Sequence, residues 1–197
     1  MRPLRAVLTG AAVLTLGAGT VAFAGSTDRG ERDRDRHRDA GPGWRHGNVA
    51  AARLIDANGD RVGTVTFKQR RDGPVRVSAR VRDLPPGFHG FHVHTVGACD
   101  PPAFTSAGGH FNPTGATHRD HAGDLPVLLV QADGRATLAT ATDRFALDDL
   151  RDRDGSAVMV HALADNYANI PARYGGPDAE TLNTGDSGGR IACGVVR

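Results

Sequence analysis

From residue 48 onward this chain runs in short bursts of period-2 alternation broken by turn residues, and no long helical pattern interrupts them. Segments 49–55, 62–68 and 75–81 alternate apolar and polar residues, as a strand with one buried face does. Asn58-Gly59-Asp60 and Asp72-Gly73-Pro74 lie between them, and both strings favour tight reversals. Leu84-Pro85-Pro86-Gly87 is a further turn, leading into a strand at 88–95. Strands resume at 127–131 and 136–141 around Asp133-Gly134, then at 157–161 and 190–196. Residues 145–151 suit one helical turn. The pattern predicts an all-β sandwich or barrel of about eight antiparallel strands. Only 5% of residues are aromatic, so the core is expected to rest on Val, Leu, Ile and Ala.

Two segments, 96–125 and 162–189, are rich in Gly and Pro and lack periodicity. Loops of that length are uncommon in a compact domain unless they carry function. Here they carry most of the chemistry-bearing side chains, and a bound metal can order segments that have no core of their own.

The ends differ from this domain. Residues 1–24 read as a secretory signal peptide: Arg2 and Arg5, then an apolar stretch, then Ala22-Phe23-Ala24 as an A-x-A cleavage site. The other reading is a membrane anchor, for which the apolar stretch is short. No transmembrane segment is expected after cleavage, and no cysteine near the cleavage point suggests lipidation. Residues 25–47 alternate charge, with six Arg against five Asp and Glu in DRGERDRDRHRDAGPGWRHG. Such a composition cannot bury a core and reads as a disordered charged linker. The folded domain is therefore expected over 48–197. The formal charge of +2 disappears with the leader, leaving 22 cations and 22 anions. Net charge thus implies no nucleic-acid partner.

An exported chain meets an oxidising compartment, where Cys99 and Cys193, its only cysteines, are expected to pair; the alternative is two free thiols. Seven of the nine histidines fall between residues 88 and 162, in the strings GFHGFHVHTVGAC, GGHFNP, HRDHAGD and VHALADNYANIP. His92 and His94 are i and i+2 on an expected strand, so their rings project from one face. That suits two ligands to one metal, or a pair of surface histidines. His110 follows two glycines. His118, His121 and Asp124 lie within seven residues, and with His110 they would form a closed four-coordinate zinc site. His161 ends a strand and is placed to reach the face of His92 and His94. Imidazole at this density suits copper and zinc. Arg190, in TGDSGGRIACGV, adds a fixed cation able to hold a small anion.

These strings, in this order and spacing, closely resemble the copper,zinc superoxide dismutase family, in an exported bacterial form, over essentially all of 48–197. The resemblance implies a Greek-key β-barrel and the conversion of superoxide to dioxygen and hydrogen peroxide by redox cycling of a copper ion. It implies His92, His94, His110 and His161 as copper ligands, and His110, His118, His121 and Asp124 as ligands of a zinc ion, with His110 bridging. It further implies Arg190 as the anion-guiding residue, His110 as a proton carrier, a Cys99–Cys193 disulfide, and Asp165 as the carboxylate linking His92 to His118. His89 falls where the family has a buttressing histidine.

The sequence also departs from the family. Only Arg119 and Asp120 separate His118 from His121, a shorter spacing than many members have. Residues 162–189 carry Asp165, Asp178, Glu180 and Asp186 against Arg173 alone, which weakens the expected long-range attraction of an anion. Superoxide is the expected small-molecule partner and a homodimer is compatible with the sequence, although no apolar stripe marks an interface. The competing function is a non-catalytic envelope copper/zinc-binding protein on the same fold. Such a protein would be expected to lack a ligand or the arginine.

Overall fold

The computed structural model describes residues 48–197. The expected leader and linker lie outside the described residues. Nine strands follow in order: β1 (Val49–Asp56), β2 (Arg61–Lys68), β3 (Val75–Val81), β4 (Gly87–His89), β5 (Phe91–His94), β6 (Leu128–Val130), β7 (Ala136–Thr142), β8 (Ala157–His161) and β9 (Arg190–Val195). A seven-stranded antiparallel sheet has the order β5-β8-β9-β1-β2-β3-β7, and β4 pairs with β6 in a small second sheet. The hairpins β1-β2-β3 are neighbours in sequence. The pairs β3–β7, β5–β8 and β9–β1 are not, and those crossings make the Greek key.

The two sheets form one curled wall because β4 and β5 are nearly continuous, divided only by Gly90. The single strand expected over 88–95 is broken there for a local reason. The Gly90 N–H donates to the Leu163 carbonyl at 2.8 Å, and its carbonyl accepts the His161 N–H at 2.8 Å. A Cβ on Gly90 would lie 2.6 Å from the Ser187 Cβ, so only glycine lets the loop pack this closely.

Strand alternation supplies the core. On β3 the burial pattern alternates strictly, with Val75, Val77, Ala79 and Val81 inward. Leu54, Phe67, Phe91, Val93, Leu128 and Val160 join them in one buried cluster. A smaller cluster of Phe104, Ala107, Met159 and Cys193 lies under the first long loop. There Cys99 and Cys193 form a disulfide with Cα atoms 5.7 Å apart, joining loop 96–125 to β9.

The second long loop holds one helix that the sequence reading leaves as loop, α1 (Ala179–Thr184). It lacks helical periodicity and is defined by its caps. The Asp178 side chain accepts the Thr181 N–H at 2.9 Å, and Gly185 ends the helix at φ 59°. The helical turn expected near 145–151 is a 3-10 turn at Asp148–Arg151. No helix among the described residues is long and apolar enough to cross a membrane.

Candidate metal centre

On β5, Phe91 and Val93 enter the barrel core, so His92 and His94 share the opposite side. That side is not exposed: His92 and His94 are 0% and 1% accessible. The first long loop folds back over it. Val93 donates to the Gly123 carbonyl at 2.9 Å and accepts from Phe111 at 2.8 Å, while Gly123 donates to the Phe111 carbonyl at 2.8 Å. Three backbone segments meet at Gly123, where a Cβ would sit 2.4 Å from the Val93 oxygen. This pairing sets His94 opposite His110 and His92 opposite Asp124. Hydrogen bonding of the backbone thus delivers loop ligands to strand ligands in a fixed register.

His118 and His121 reach the same place despite their short separation. Arg119 takes a left-handed conformation (φ 71°), which reverses the chain between them. Both imidazoles are buried while Arg119 and Asp120 are exposed. His161 arrives from β8, where a register shift at Val160/His161 places it opposite Arg190 on β9.

Two sets of four donor atoms result, each within 4.8 Å: one from His92, His94, His110 and His161, the other from His110, His118, His121 and Asp124. His110 belongs to both. Its Nδ1 lies 2.9 Å from Asp124 Oδ1 and 3.3 Å from His121 Nδ1, which leaves Nε2 for the first set. His94 Nε2 and His161 Nε2 are 3.4 Å apart. Their Nδ1 atoms are engaged by the carbonyls of Gly108 (2.9 Å) and Gly188 (3.0 Å), which fixes those tautomers and frees the Nε2 lone pairs. Asp165 joins the sets from behind, 2.7 Å from His92 Nε2 and 2.8 Å from His118 Nε2. His92 Nδ1 and His118 Nδ1 are buried without a hydrogen-bond partner, although Asp124 Oδ2 approaches His118 Nδ1 at 3.3 Å. A buried polar atom without a partner is costly, and a metal ion would satisfy both. The donors are soft-to-borderline nitrogens with one carboxylate oxygen, a combination that suits copper in the all-histidine set and zinc in the other.

The electrostatics are consistent with metal binding. Burial lowers His92 to about 4 and His161 to about 3, and holds His94 well below its ordinary value. These rings are neutral at pH 7 and need lose no proton to coordinate. Burial also lowers His121. At His118 burial acts downward too, but contacts with Asp124 and Asp165 outweigh it and raise the ring to about 9. Against the opposing effect of burial, hydrogen bonds with His110 and His118 hold the Asp124 carboxyl well below the usual carboxylate range, and those with His118 and His92 do the same for Asp165.

An open cleft of about 470 Å³ reaches His94, His110 and His161, with Arg190 on its wall and Glu180 and Thr184 at its rim. The Arg190 guanidinium donates to the Phe104 carbonyl (2.5 Å) and the Gly108 carbonyl (2.6 Å). Gly108 O therefore orients both His94 and Arg190. Arg190 keeps further N–H donors for the cleft. His89 braces the site from below, its ring spanning the His161 carbonyl (2.7 Å) and the Pro85 carbonyl (2.8 Å).

Sequence reading had no signal for the carbonyls of Gly108 and Gly188, because any residue supplies one. It also missed Arg144, whose guanidinium donates to the Arg119 and His121 carbonyls at 2.6 and 3.2 Å.

Residues 61–196 match the family model for copper/zinc superoxide dismutase. The chain is 43% identical over 165 residues to "Superoxide dismutase [Cu-Zn]" of Mycolicibacterium paratuberculosis, covering 75% of this chain and 68% of that one. It is 44% identical to the protein of the same name from Mycobacterium tuberculosis, spanning 64% of its length. With that of Escherichia coli K12 it shares 36% over 172 residues, 77% of this chain and 91% of the other. Among solved structures, a SOD-like protein from Bacillus subtilis superposes with a TM-score of 0.61 at 33% identity, covering 74% of this chain and 96% of that one. The clock protein EA4 superposes with a TM-score of 0.63 at 31% identity, covering 78% of this chain and 96% of that one.

Proposed function

Because the chain belongs to the copper/zinc superoxide dismutase family, we propose that its two donor sets divide the metals, with His92, His94, His110 and His161 holding copper and His110, His118, His121 and Asp124 holding zinc. The protein is an oxidoreductase of the superoxide dismutase class, and copper and zinc are its cofactors. When bound, copper supplies the one-electron exchange with superoxide, and zinc supplies fixed positive charge that keeps the shared imidazole in place.

The remaining steps belong to the chain. Arg190 lies beside the cleft, with part of its guanidinium anchored on two carbonyls and the rest free to donate to a small anion. Charge-assisted hydrogen bonds from a pre-anchored fork hold superoxide next to His94 and His161 with little loss of side-chain freedom. One superoxide gives up an electron and leaves as dioxygen. A second accepts that electron, and with two protons leaves as hydrogen peroxide. His110 is placed to carry one of these protons on Nε2, since its Nδ1 is engaged on the Asp124 side. Asp165 positions His92 and His118 by gripping the ring nitrogen that each does not offer to a metal.

The observation that carries this reading is the pairing of unpartnered, buried imidazole nitrogens with an arginine fixed at the cleft. A metal buffer has no use for that arginine. The disulfide fits an oxidising compartment, and together with the expected leader it supports an exported enzyme.

The test is superoxide decay catalysed by copper- and zinc-loaded protein, with Arg190→Ala beside it. Decay that drops roughly 10- to 100-fold in the variant at unchanged copper content supports the assignment. Copper lost along with activity would remove Arg190 from its anion role. No decay from protein that has taken up copper would favour the metal-binding alternative.

A further inference from the structure

The charge balance of the whole chain conceals a segregation that strand pairing reveals. Residues 48–197 hold 16 Lys and Arg against 17 Asp and Glu. On the wall formed by β1, β2, β3 and β7, register places Arg53 across from Thr64, Thr64 from Arg80, and Lys68 from Arg76. All four cations are exposed, and the flanking residues on the same strands are buried. In the paired segments 49–53, 64–68, 76–80 and 137–141 there is no Asp or Glu. Among the described residues, no carboxylate forms an ion pair with Arg53, Arg76 or Arg80.

Strand geometry fixes the spacing. Lys68 and Arg76 are directly opposed, with Cβ atoms about 5 Å apart. Arg76 and Arg80 are four residues apart on β3, roughly 13 Å. Arg53 lies two strands from Arg80, about 10 Å away. Arg53, Arg76 and Arg80 carry charge that no ion pair offsets among the described residues, and a bound polyanion would supply the opposite charge. Thr64, Thr66 and Ser78 lie between the cations and offer hydroxyl donors to acceptor oxygens.

We propose that this face docks a linear, phosphate-bearing polyanion. Its composition separates this partner from others. It has no aromatic side chain to stack a nucleobase and no projecting element to enter a duplex groove. Nor does it have a large apolar side chain to enter a bilayer. The metal ligands sit on β5, β8 and the first long loop, so docking through β1, β2, β3 and β7 leaves the cleft open. The face tethers the enzyme to an anionic surface while its substrate still enters.

The experiment measures binding of metal-loaded protein to long-chain inorganic polyphosphate across a salt series. The variant R53T/R76T/R80T is compared with R135T/R153T/R173T, which removes three exposed arginines elsewhere. Threonine suits a strand, and retained superoxide dismutation reports that each variant is folded. The expected result is a log–log salt slope of roughly −3 for the unmodified protein. The face variant should lose at least tenfold in affinity at low salt and most of that slope, while the control stays close to the parent. Arg53→Thr and Arg80→Thr alone should each shed about one unit of slope. Equal losses in the control would overturn the proposal in favour of bulk charge. Binding that survives in the face variant would overturn it in favour of residues outside the described domain. Tighter binding to DNA of matched charge, or to anionic phosphatidylglycerol vesicles, would overturn the choice of partner.

Discussion

His118 and Asp165 meet with almost no room to spare, and one glycine makes that possible. A Cβ on Gly185 would lie 2.0 Å from Asp165 Oδ1 and 2.3 Å from His118 Nε2, and Gly185 also has φ 59°. Gly185→Ala should therefore push Asp165 off His118 and strain the end of α1 together. The expected outcome is zinc lost before copper on titration with a chelator, followed by metal analysis. Simultaneous loss of both metals would show that Asp165 braces the two sites equally. Other buried histidines of the same site set an acid limit for the metal-free protein. His92 and His161 have folded values of about 4 and 3, below their ordinary 6.5. The unfolded chain takes up protons from pH 6.5 downward and the folded one does not. Their contribution to stability is thus complete above 6.5 and falls as pH drops toward 3 to 4. His118, raised to about 9, acts oppositely: its contribution is full below 6.5 and is lost as pH rises to 9. Lowering the pH from 7 to 4.5 should cost the apoprotein about 2 kcal/mol or more, read as a shift in urea midpoint. A flat profile over that range would contradict neutral burial of these rings.

Among the elements, the short turn between His118 and His121 depends on a side chain from a different part of the chain. Arg144 follows β7, yet its guanidinium caps the Arg119 and His121 carbonyls and approaches Asp120 at 3.6 Å. A reversed turn with a left-handed residue leaves carbonyls pointing outward, and Arg144 satisfies two of them. Arg144→Ala should loosen this turn, costing about 1–2 kcal/mol and raising the rate of zinc loss several-fold, with copper retained. A chelator chase followed by metal analysis reads this, and an unchanged zinc rate would limit Arg144 to surface charge. How much of each element was legible in sequence follows from the range of the interactions that define it. Strands β1, β2, β3 and β7 could be read because alternation is local, as could the same-face pairing of His92 and His94. The break at Gly90 could not, since it arises from Ser187 and Leu163, far along the chain. Helix α1 has six residues and rests on an Asp cap and a Gly stop, too short to show a period. The register that sets Asp124 opposite His92 was equally invisible, being written in backbone hydrogen bonds.

At the scale of the whole molecule, composition averaged away what topology separates. Near-zero net charge says nothing of where the charges lie, and pairing puts four cations on one wall and acidic residues in the turns and the loops around the metal centre. Topology also gives the disulfide a larger role than a simple cross-link. Cys99 begins the loop that carries His110, His118, His121 and Asp124, and Cys193 lies on β9, three residues beyond Arg190. The bridge spans 94 residues, which in the chain-entropy model stabilises the fold by about 4–5 kcal/mol. It also keeps the loop start against the strand bearing Arg190, next to Phe104, whose carbonyl anchors that guanidinium. Reduction should therefore act twice. The urea midpoint should fall by an amount near that estimate. In addition, reduced protein that is still folded and copper-loaded should dismutate superoxide more slowly, because Arg190 loses a fixed partner. Measuring activity per bound copper below the unfolding transition, for oxidised protein and for Cys99→Ser/Cys193→Ser, separates the two effects. Equal activity per copper would confine the disulfide to stability, and lower activity in the variant would make it part of the machinery that holds Arg190 at the cleft.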